Sequence, residues 1–263
     1  MSKKIIIAGG QNIGVNIVEF LQKTEHEVVG IIARTDDIGE DSIFPSLLKK
    51  AFELNIPVIR PQNVNAPEVL TFVKNVEAEC LISAMYNQIF KKDILEIFFD
   101  KLGAINIHYA PLPLYCGFWP EMRAIWNDEE NFAITFHYIN TGVDSGDILY
   151  QPKVNVTENE TRQSLYEKCD DVAIQTFKAN YQDFLTQKKI AISQNMNNKS
   201  YYKRELPHNG FIDLSWDKEK IERFIRATSF YPFVGAKLKI GNKIYSIVDK
   251  DLEFFKPHKI GDK

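Results

Sequence analysis

The chain has 263 residues, 44% hydrophobic and 25% charged, with 32 basic against 35 acidic side chains and a formal net charge of -3. That length can bury a real core, and the acidic balance speaks against a protein that grips a phosphate backbone, so no nucleic-acid partner is expected. The three cysteines, Cys80, Cys116 and Cys169, are too scattered for a disulfide framework or a zinc knuckle; with no apolar run near the roughly 18 residues of a membrane span, the expectation is a cytoplasmic protein with neither metal nor membrane.

"KKIIIAGGQNIG" predicts a buried strand, a glycine turn and a helix beginning near Gly14. "HEVVGIIAR" reads as a second strand, closed by the acidic turn "TDDIGEDS". A helix at "FPSLLKKAFELN", a short strand at "IPVIR", a helix at "NAPEVLTFVKNV" and a strand at "ECLISAMY" follow in turn. "GAINIHY" predicts the next strand and "WPEMRAIWNDEE" a helix. "FAITFHYIN" and "GDILYQPKVNV" predict two strands joined by "TGVDSG", added antiparallel at the sheet edge. A long helix over "NETRQSLYEKCDDVAIQTFKANYQDFLTQ" ends near residue 187. Beyond it, "DKEKIERFIRATS" predicts one more helix, and "VGAKLKIGNKIYSIVDK" a hairpin turning at Gly241-Asn242. The exchange of strands and helices predicts an α/β fold, a Rossmann-like, mostly parallel sheet with helices on both faces. The expected division is a catalytic domain at 1–187 and a small α+β appendage at 188–263.

Gly9, Gly10 and Gly14 stand as GG-x-x-x-G, which is not the dinucleotide spacing, and the second strand ends in Arg34 rather than an acid. NAD is therefore not expected. Two readings remain: a tight strand-to-helix turn, or a phosphate resting near the helix N-terminus with Gly10 and Asn12 as its contacts.

Asn106 and His108 lie two apart in a strand, so both side chains leave one face. If the strand ends there, they project into the crevice at the carboxyl edge of the sheet, where open α/β folds bind ligands. Pro111, Pro113 and Gly117 restrain the loop that follows. Asp144, bracketed by Gly142 and Gly146, is the candidate third member, since a carboxylate beside a histidine orients the ring for proton transfer.

The set "NIH", "LPLYCG" and "GVDSGDI", in that order after a βαβ half, resembles the folate-dependent formyltransferases. That family includes enzymes acting on methionyl-tRNA, glycinamide ribonucleotide and nucleotide-linked amino sugars, and the likeness covers roughly residues 3 to 186. The resemblance implies catalysis by Asn106, His108 and Asp144, and 10-formyltetrahydrofolate as formyl donor. It also implies a pteridine resting against Met85, Tyr86 and Asn87 and against Ile139, Asn140, Gly142 and Asp144. Many members carry Ser-Leu-Leu-Pro after the histidine and an arginine before the loop glycine; here "YAPLP" and Cys116 stand there.

For the acceptor, methionyl-tRNA formyltransferases carry a basic insertion after the second strand, where this chain has "TDDIGEDS". The tail "YYKRELPHNGFIDLSWDKEKIERFIRATSFYPFVGA" resembles that of amino-sugar formyltransferases. That likeness implies a nucleoside-diphosphate-linked 4-amino-4,6-dideoxyhexose such as a dTDP-sugar, a product for lipopolysaccharide O-antigen, and a homodimer formed through the terminal hairpin. Tyr115, Trp119 and Tyr202 are candidates for stacking on sugar or base, and each also fits an ordinary place in the core. Formylation of methionyl-tRNA and non-catalytic folate binding are the alternatives.

Overall fold

Strands that are apolar along their whole length need cover on both faces, and the first strand of this chain has it: Ile5, Ile6, Ile7 and Ala8 are fully buried. The computed structural model describes residues 1–233 and 235–248. In chain order its first half holds β1 (Lys4–Gly9), α1 (Gln11–Leu21), β2 (Glu27–Ala33), α2 (Leu47–Glu53), β3 (Val58–Ile59), α3 (Pro67–Asn75), β4 (Cys80–Ala84), α4 (Lys92–Leu95) and β5 (Gly103–His108). Then come β6 (Cys116–Gly117), α5 (Pro120–Trp126), β7 (Asn131–Ala133), β8 (Thr135–Tyr138), β9 (Ile148–Tyr150), β10 (Lys153–Asn155) and α6 (Arg162–Leu185). The last described elements are β11 (Tyr201–Tyr202), α7 (Lys218–Thr228), β12 (Ala236–Ile240) and β13 (Lys243–Ile247).

The main sheet has seven strands in the order β3-β2-β1-β4-β5-β8-β9. The first five are parallel, and β8 and β9 extend the edge antiparallel, as the sequence predicts. Side-chain alternation divides the cover. Ile6, Ala8, Leu81 and Ala104 pack with Val69 and Val73 of α3 and Ile94 of α4. On the opposite face Ile105, Phe136 and Leu149 meet Phe177 and Phe184 of α6 around a small pocket. There α1 sends Phe20 edge-on against Phe177 and Tyr181, with centroids 6.1 and 5.0 Å apart.

β2 and β4 flank β1, so the chain reverses its direction of sheet growth at the end of β1. This is the switch point where open α/β sheets leave a crevice. A Cβ on Gly9 would fall 1.9 Å from the Ala84 carbonyl oxygen, so only glycine lets β1 and β4 close there. The Gly10 N–H donates to that same oxygen at 3.2 Å, and α1 starts immediately afterwards. The helix therefore begins at Gln11 rather than near Gly14, because the turn is completed by the sheet itself.

Other departures have local causes. "FAITFHYIN" breaks at Ile134 and "GDILYQPKVNV" at Gln151-Pro152, where proline has no N–H for the ladder. The short α4 arises where the periodic signal is too brief to separate from loop.

The chain folds as two compact units interleaved in sequence. One comprises Met1–Cys116, Ala133–Val154 and Cys169–Tyr201, and contains the whole main sheet. The other comprises Gly117–Phe132, Asn155–Lys168 and the described part of Tyr202–Lys263. Its core gathers Trp126 of α5, Trp216, and Phe224 of α7, with ring centroids 5.1–5.3 Å apart. The expected hairpin is present as β12 and β13, paired from Ala236↔Ile247 to Ile240↔Lys243. Val234, Asp249 and Lys250 of the stretch read as a hairpin lie outside the described residues.

Candidate active site

Asn106 and His108 occupy the carboxyl end of β5 on the face that carries Ala104. Their strand pairs with β8 so that Asn106 stands opposite His137 and His108 opposite Thr135. The exit from β5 is fixed by buried polar groups. Thr135 Oγ1 donates to the Ala110 carbonyl at 2.6 Å and accepts from the Leu112 N–H and the Gln151 amide, at 3.2 and 2.8 Å. The Tyr109 hydroxyl donates to Asp170 of α6, whose other oxygen accepts from Asn12 Nδ2 at 2.9 Å.

The structure brings Asp144 to this pair. His108 Nε2 lies 3.8 Å from Asp144 Oδ2, and the side chains are 12% and 13% exposed. At that separation the contact is an ion pair in reach rather than a formed hydrogen bond. The nearer partner of His108 Nε2 is the Tyr115 carbonyl at 3.2 Å. A carbonyl only accepts, so the ring proton sits on Nε2, leaving Nδ1 with its lone pair.

His137 joins the cluster, a residue that the motif reading does not single out. Its Nδ1 donates to the Tyr138 carbonyl at 2.8 Å, so in the neutral ring Nε2 is an acceptor, and it receives Asn106 Nδ2–H at 3.2 Å. Its Nε2 also lies 4.0 Å from Asp144 Oδ1. Burial pushes the His137 pKa down to about 4, with the charge of His108 adding to this and that of Asp144 opposing it. A neutral His137 thus fixes which way the Asn106 amide faces and leaves one Nδ2–H for another acceptor. The sequence signal for it is the polar pair Thr135 and His137 on one face of "TFHY".

Acid should weaken the fold through this same group. A histidine whose pKa falls on folding stabilises the fold above its unfolded value near 6.5, and that contribution is lost as pH drops toward 4. The loss is on the order of 3 kcal/mol. The imidazole NMR signal of His137 should titrate near pH 4. The urea midpoint should fall between pH 6.5 and 4, and less steeply in His137→Phe.

Cys116 is held as a neutral thiol. Burial, aided by Asp144, pushes its pKa up to about 11, and its Sγ donates to the Pro113 carbonyl at 3.4 Å. Thiolate nucleophilic catalysis is not what this arrangement favours. Among the described residues no cluster of His, Cys, Asp or Glu could hold a metal ion, and no helix is long and apolar enough to cross a membrane.

Met85, Tyr86 and Asn87 leave β4 beside β5, and Arg34 Nη1 donates to the Met85 carbonyl at 2.8 Å. Tyr86 stacks on Phe90 with centroids 5.3 Å apart, and its buried hydroxyl has no partner among the described residues. Tyr86 and Ile139 border the same core cluster. Asn140 Oδ1 accepts from the Gly142 N–H and from Ser145 Oγ, which shapes the turn leading to Asp144.

Gly10 lies at the switch point, in a groove that also holds Arg34, Asp36, Asp37 and Ser46. Arg34 is already paired bidentately with Asp36, at 2.8 and 2.6 Å. Asn12 gives its amide to Asp170, so it fastens α1 to α6. Tyr115 is 5% exposed, and its main-chain carbonyl reaches the site. Trp119 and Tyr202 belong to the second unit, where guanidinium groups cover both rings, Arg162 over Trp119 at 5.1 Å and Arg123 over Tyr202 at 4.8 Å.

The family model for formyl transferase matches residues 3–179. Over 232 residues the chain is 29% identical to the methionyl-tRNA formyltransferase of Pseudoalteromonas translucida (strain TAC 125), covering 87% of this chain and 72% of that one. A solved N-formyltransferase from Helicobacter canadensis, in complex with folinic acid and dTDP-3-aminofucose, superposes with a TM-score of 0.70. It is 26% identical, over 92% of this chain and 85% of that one. WlaRD, a sugar 3N-formyl transferase solved with dTDP and 5-N-formyl-THF, gives a TM-score of 0.72 at 26% identity over 95% of each chain. With a match extending over more than half of its length, and a polar cluster at the carboxyl edge of the expected sheet, the chain belongs to the formyl transferase family.

Proposed function

We propose that this protein transfers a formyl group from 10-formyltetrahydrofolate to the primary amine of a nucleoside-diphosphate-linked amino-6-deoxy sugar. The observation that carries the reading is the meeting of Asn106 and His108, from the end of β5, with Asp144, from a separate turn, at the carboxyl edge of the sheet. Residues 1–187 would form the catalytic domain and 188–263 an appendage whose stretch 192–200 belongs to the same compact unit as the main sheet.

The residues present fit a folate donor. The chain offers Met85–Asn87, with a Tyr86 hydroxyl that has no partner among the described residues, together with Ile139, Asn140, Gly142 and Asp144. When bound, the donor supplies an activated formyl group on nitrogen. Asn106 presents its remaining Nδ2–H to the formyl oxygen, whose negative charge grows as the amine attacks. His108 Nδ1 takes the amine proton and would pass it to the donor nitrogen as the bond from that nitrogen to the formyl carbon breaks, while Nε2–H stays directed toward the Tyr115 carbonyl and Asp144. Asp144 orients that ring and stabilises it when protonated.

The acceptor reading rests on the tail's likeness to amino-sugar formyltransferases and on the two sugar N-formyltransferase structures of similar fold. The acidic turn after β2 supports it. Asp37 there is tied to Ser46 and to the Leu48 N–H, and Asp41 to Lys49, so a compact anionic loop stands in that position. The tail favours a 4-amino-4,6-dideoxyhexose, whereas one neighbour holds a 3-amino sugar and the other is a sugar 3N-formyl transferase. The product would serve lipopolysaccharide O-antigen in the cytoplasm, and exposed Ile240, Ile244 and Tyr245 on the hairpin support contact with a second copy.

Methionyl-tRNA is the second reading, favoured by the 29% identity to a tRNA enzyme. A panel of dTDP-4-amino-4,6-dideoxyglucose, dTDP-3-aminofucose, the UDP and GDP counterparts and charged initiator tRNA decides between them, with tetrahydrofolate release as the readout. The expected result is turnover with a dTDP-amino sugar and none with the tRNA. Efficient tRNA formylation would reverse the acceptor assignment, and folate binding without any turnover would leave a binding protein.

A further inference from the structure

Asp144 sits in the left-handed backbone region, with φ of 50°. That conformation is unfavourable for a residue with a side chain, so its turn needs support. A Cβ on Gly146 would fall 1.8 Å from the Tyr138 carbonyl oxygen, which pins the far end of the turn to β8. The near end is separately anchored, because the Ile139 N–H donates to the Ala104 carbonyl at 2.7 Å.

The middle of the turn is held by a segment beyond the part matched by the family model, which ends at residue 179. Gln194 Nε2 donates to both the Asp144 and the Gly146 carbonyls, at 3.1 and 2.7 Å. Lys199 Nζ donates to the Val143 carbonyl at 2.7 Å. The same segment reaches the loop after His108. Ser200 Oγ accepts from the Tyr115 N–H at 2.8 Å, and the Ser200 carbonyl accepts from the Cys116 N–H at 3.0 Å. The Ser200 N–H in turn donates to the Pro113 carbonyl at 3.2 Å. Ile192 anchors the other end by exchanging two 2.8 Å hydrogen bonds with Ile148. One stretch therefore fastens both the turn bearing Asp144 and the loop whose Tyr115 carbonyl faces His108.

Gln194 shows a further sign of a specific task. Its Oε1 is buried without a partner among the described residues, a desolvation penalty that no hydrogen bond offsets at that atom. Its two amide hydrogens go to the carbonyl of Asp144, on a partly exposed turn, and to that of the buried Gly146. The amide thereby fixes the place of this stretch of backbone.

We propose that residues 192–200 form a positioning segment for formyl transfer, in which Gln194 sets the distance between the Asp144 carboxylate and His108. The proposal rests on the reading of Asp144 as the partner of His108. Gln194→Met keeps the length of the side chain and removes both donors. With 10-formyltetrahydrofolate and dTDP-4-amino-4,6-dideoxyglucose or dTDP-3-aminofucose, kcat should fall about 10- to 100-fold, the scale of an ångström-sized misplacement. KM for the donor should stay within about two-fold, because Ile139 and Asn140 keep their own anchors. In an Asp144→Ala background the Gln194→Met change should add nothing, since Gln194 acts through Asp144.

Wild-type kcat in Gln194→Met beside a crippled Asp144→Ala overturns this proposal alone. Normal turnover in Asp144→Ala instead removes the reading of Asp144 on which it stands. A further loss in the double variant would also overturn it. If Gln194→Met does not fold, Lys199→Met, which frees only the Val143 carbonyl, takes its place with the same expected split between kcat and KM.

Discussion

Replacing His108 by alanine is expected to lower kcat by about 10²- to 10⁴-fold, the usual scale for losing a positioned acid–base group. The ring is 12% exposed and makes its nearest polar contact with the Tyr115 carbonyl, which water can serve once the ring is gone. The fold should therefore survive, with an unchanged circular dichroism spectrum and little change in donor KM. Single-turnover release of tetrahydrofolate measures the effect, and it separates chemistry from product release. A variant within about ten-fold of wild type would remove His108 from proton transfer and leave binding and orientation as the sources of rate.

The second large effect is expected at Asn106. Asn106→Ala removes the N–H aimed at the developing oxyanion, and loss of one such donor in a preorganised site lowers kcat about 10²- to 10³-fold. Asn106→Asp makes the sharper comparison. It keeps the size but replaces the donor with a charged acceptor that faces the His137 Nε2 lone pair, and Asp144 Oδ1 lies 4.0 Å from that same nitrogen. Its activity should lie below that of the alanine variant, because a repulsive charge is added to the loss of the donor. Activity of Asn106→Ala near that of wild type would mean that the amide serves only as filler, and the oxyanion role would then pass to main-chain groups.

Both expectations depend on the electrostatic state of the cluster. His137 is neutral because it is buried, and its Nδ1–H is committed to the Tyr138 carbonyl. A protonated His137 would donate from Nε2, and the Asn106 amide would have to turn its oxygen toward the ring. The proton count on one buried side chain thus decides whether Asn106 offers a donor or an acceptor to the reacting carbonyl. The same logic accounts for Cys116, a thiol next to Asp144 whose pKa is raised rather than lowered, so that it stays out of covalent chemistry.

Much of the fold is readable from the order of residues. The apolar runs from β1 to β5 had to be parallel strands, because strands without a polar face need helices on both sides. The same pattern located Asn106 and His108 at a strand end, and alternation put them on one face. "TGVDSG" announced a tight, glycine-dependent turn, and Gly146 does lie against the Tyr138 carbonyl where no side chain fits. Hydrophobic periodicity and glycine placement are local properties, recorded in the chain a few residues at a time.

Pairing across distance is not recorded that way. His137 enters the site because the antiparallel register of β5 with β8 sets it opposite Asn106, and register is a property of two strands together. Asn12 is tied to α6 because the fold delivers Asp170 to it from 158 positions further along the chain. Gln194 gains its place when the chain, after a 24-residue helix, returns beside the Asp144 turn. The α/β class, the strand end with its Asn and His, and the glycine-bracketed Asp were thus all present in the linear order. Proton positions, amide direction and loop supports came only with folding, because they depend on burial and on hydrogen-bond partners that distant segments supply.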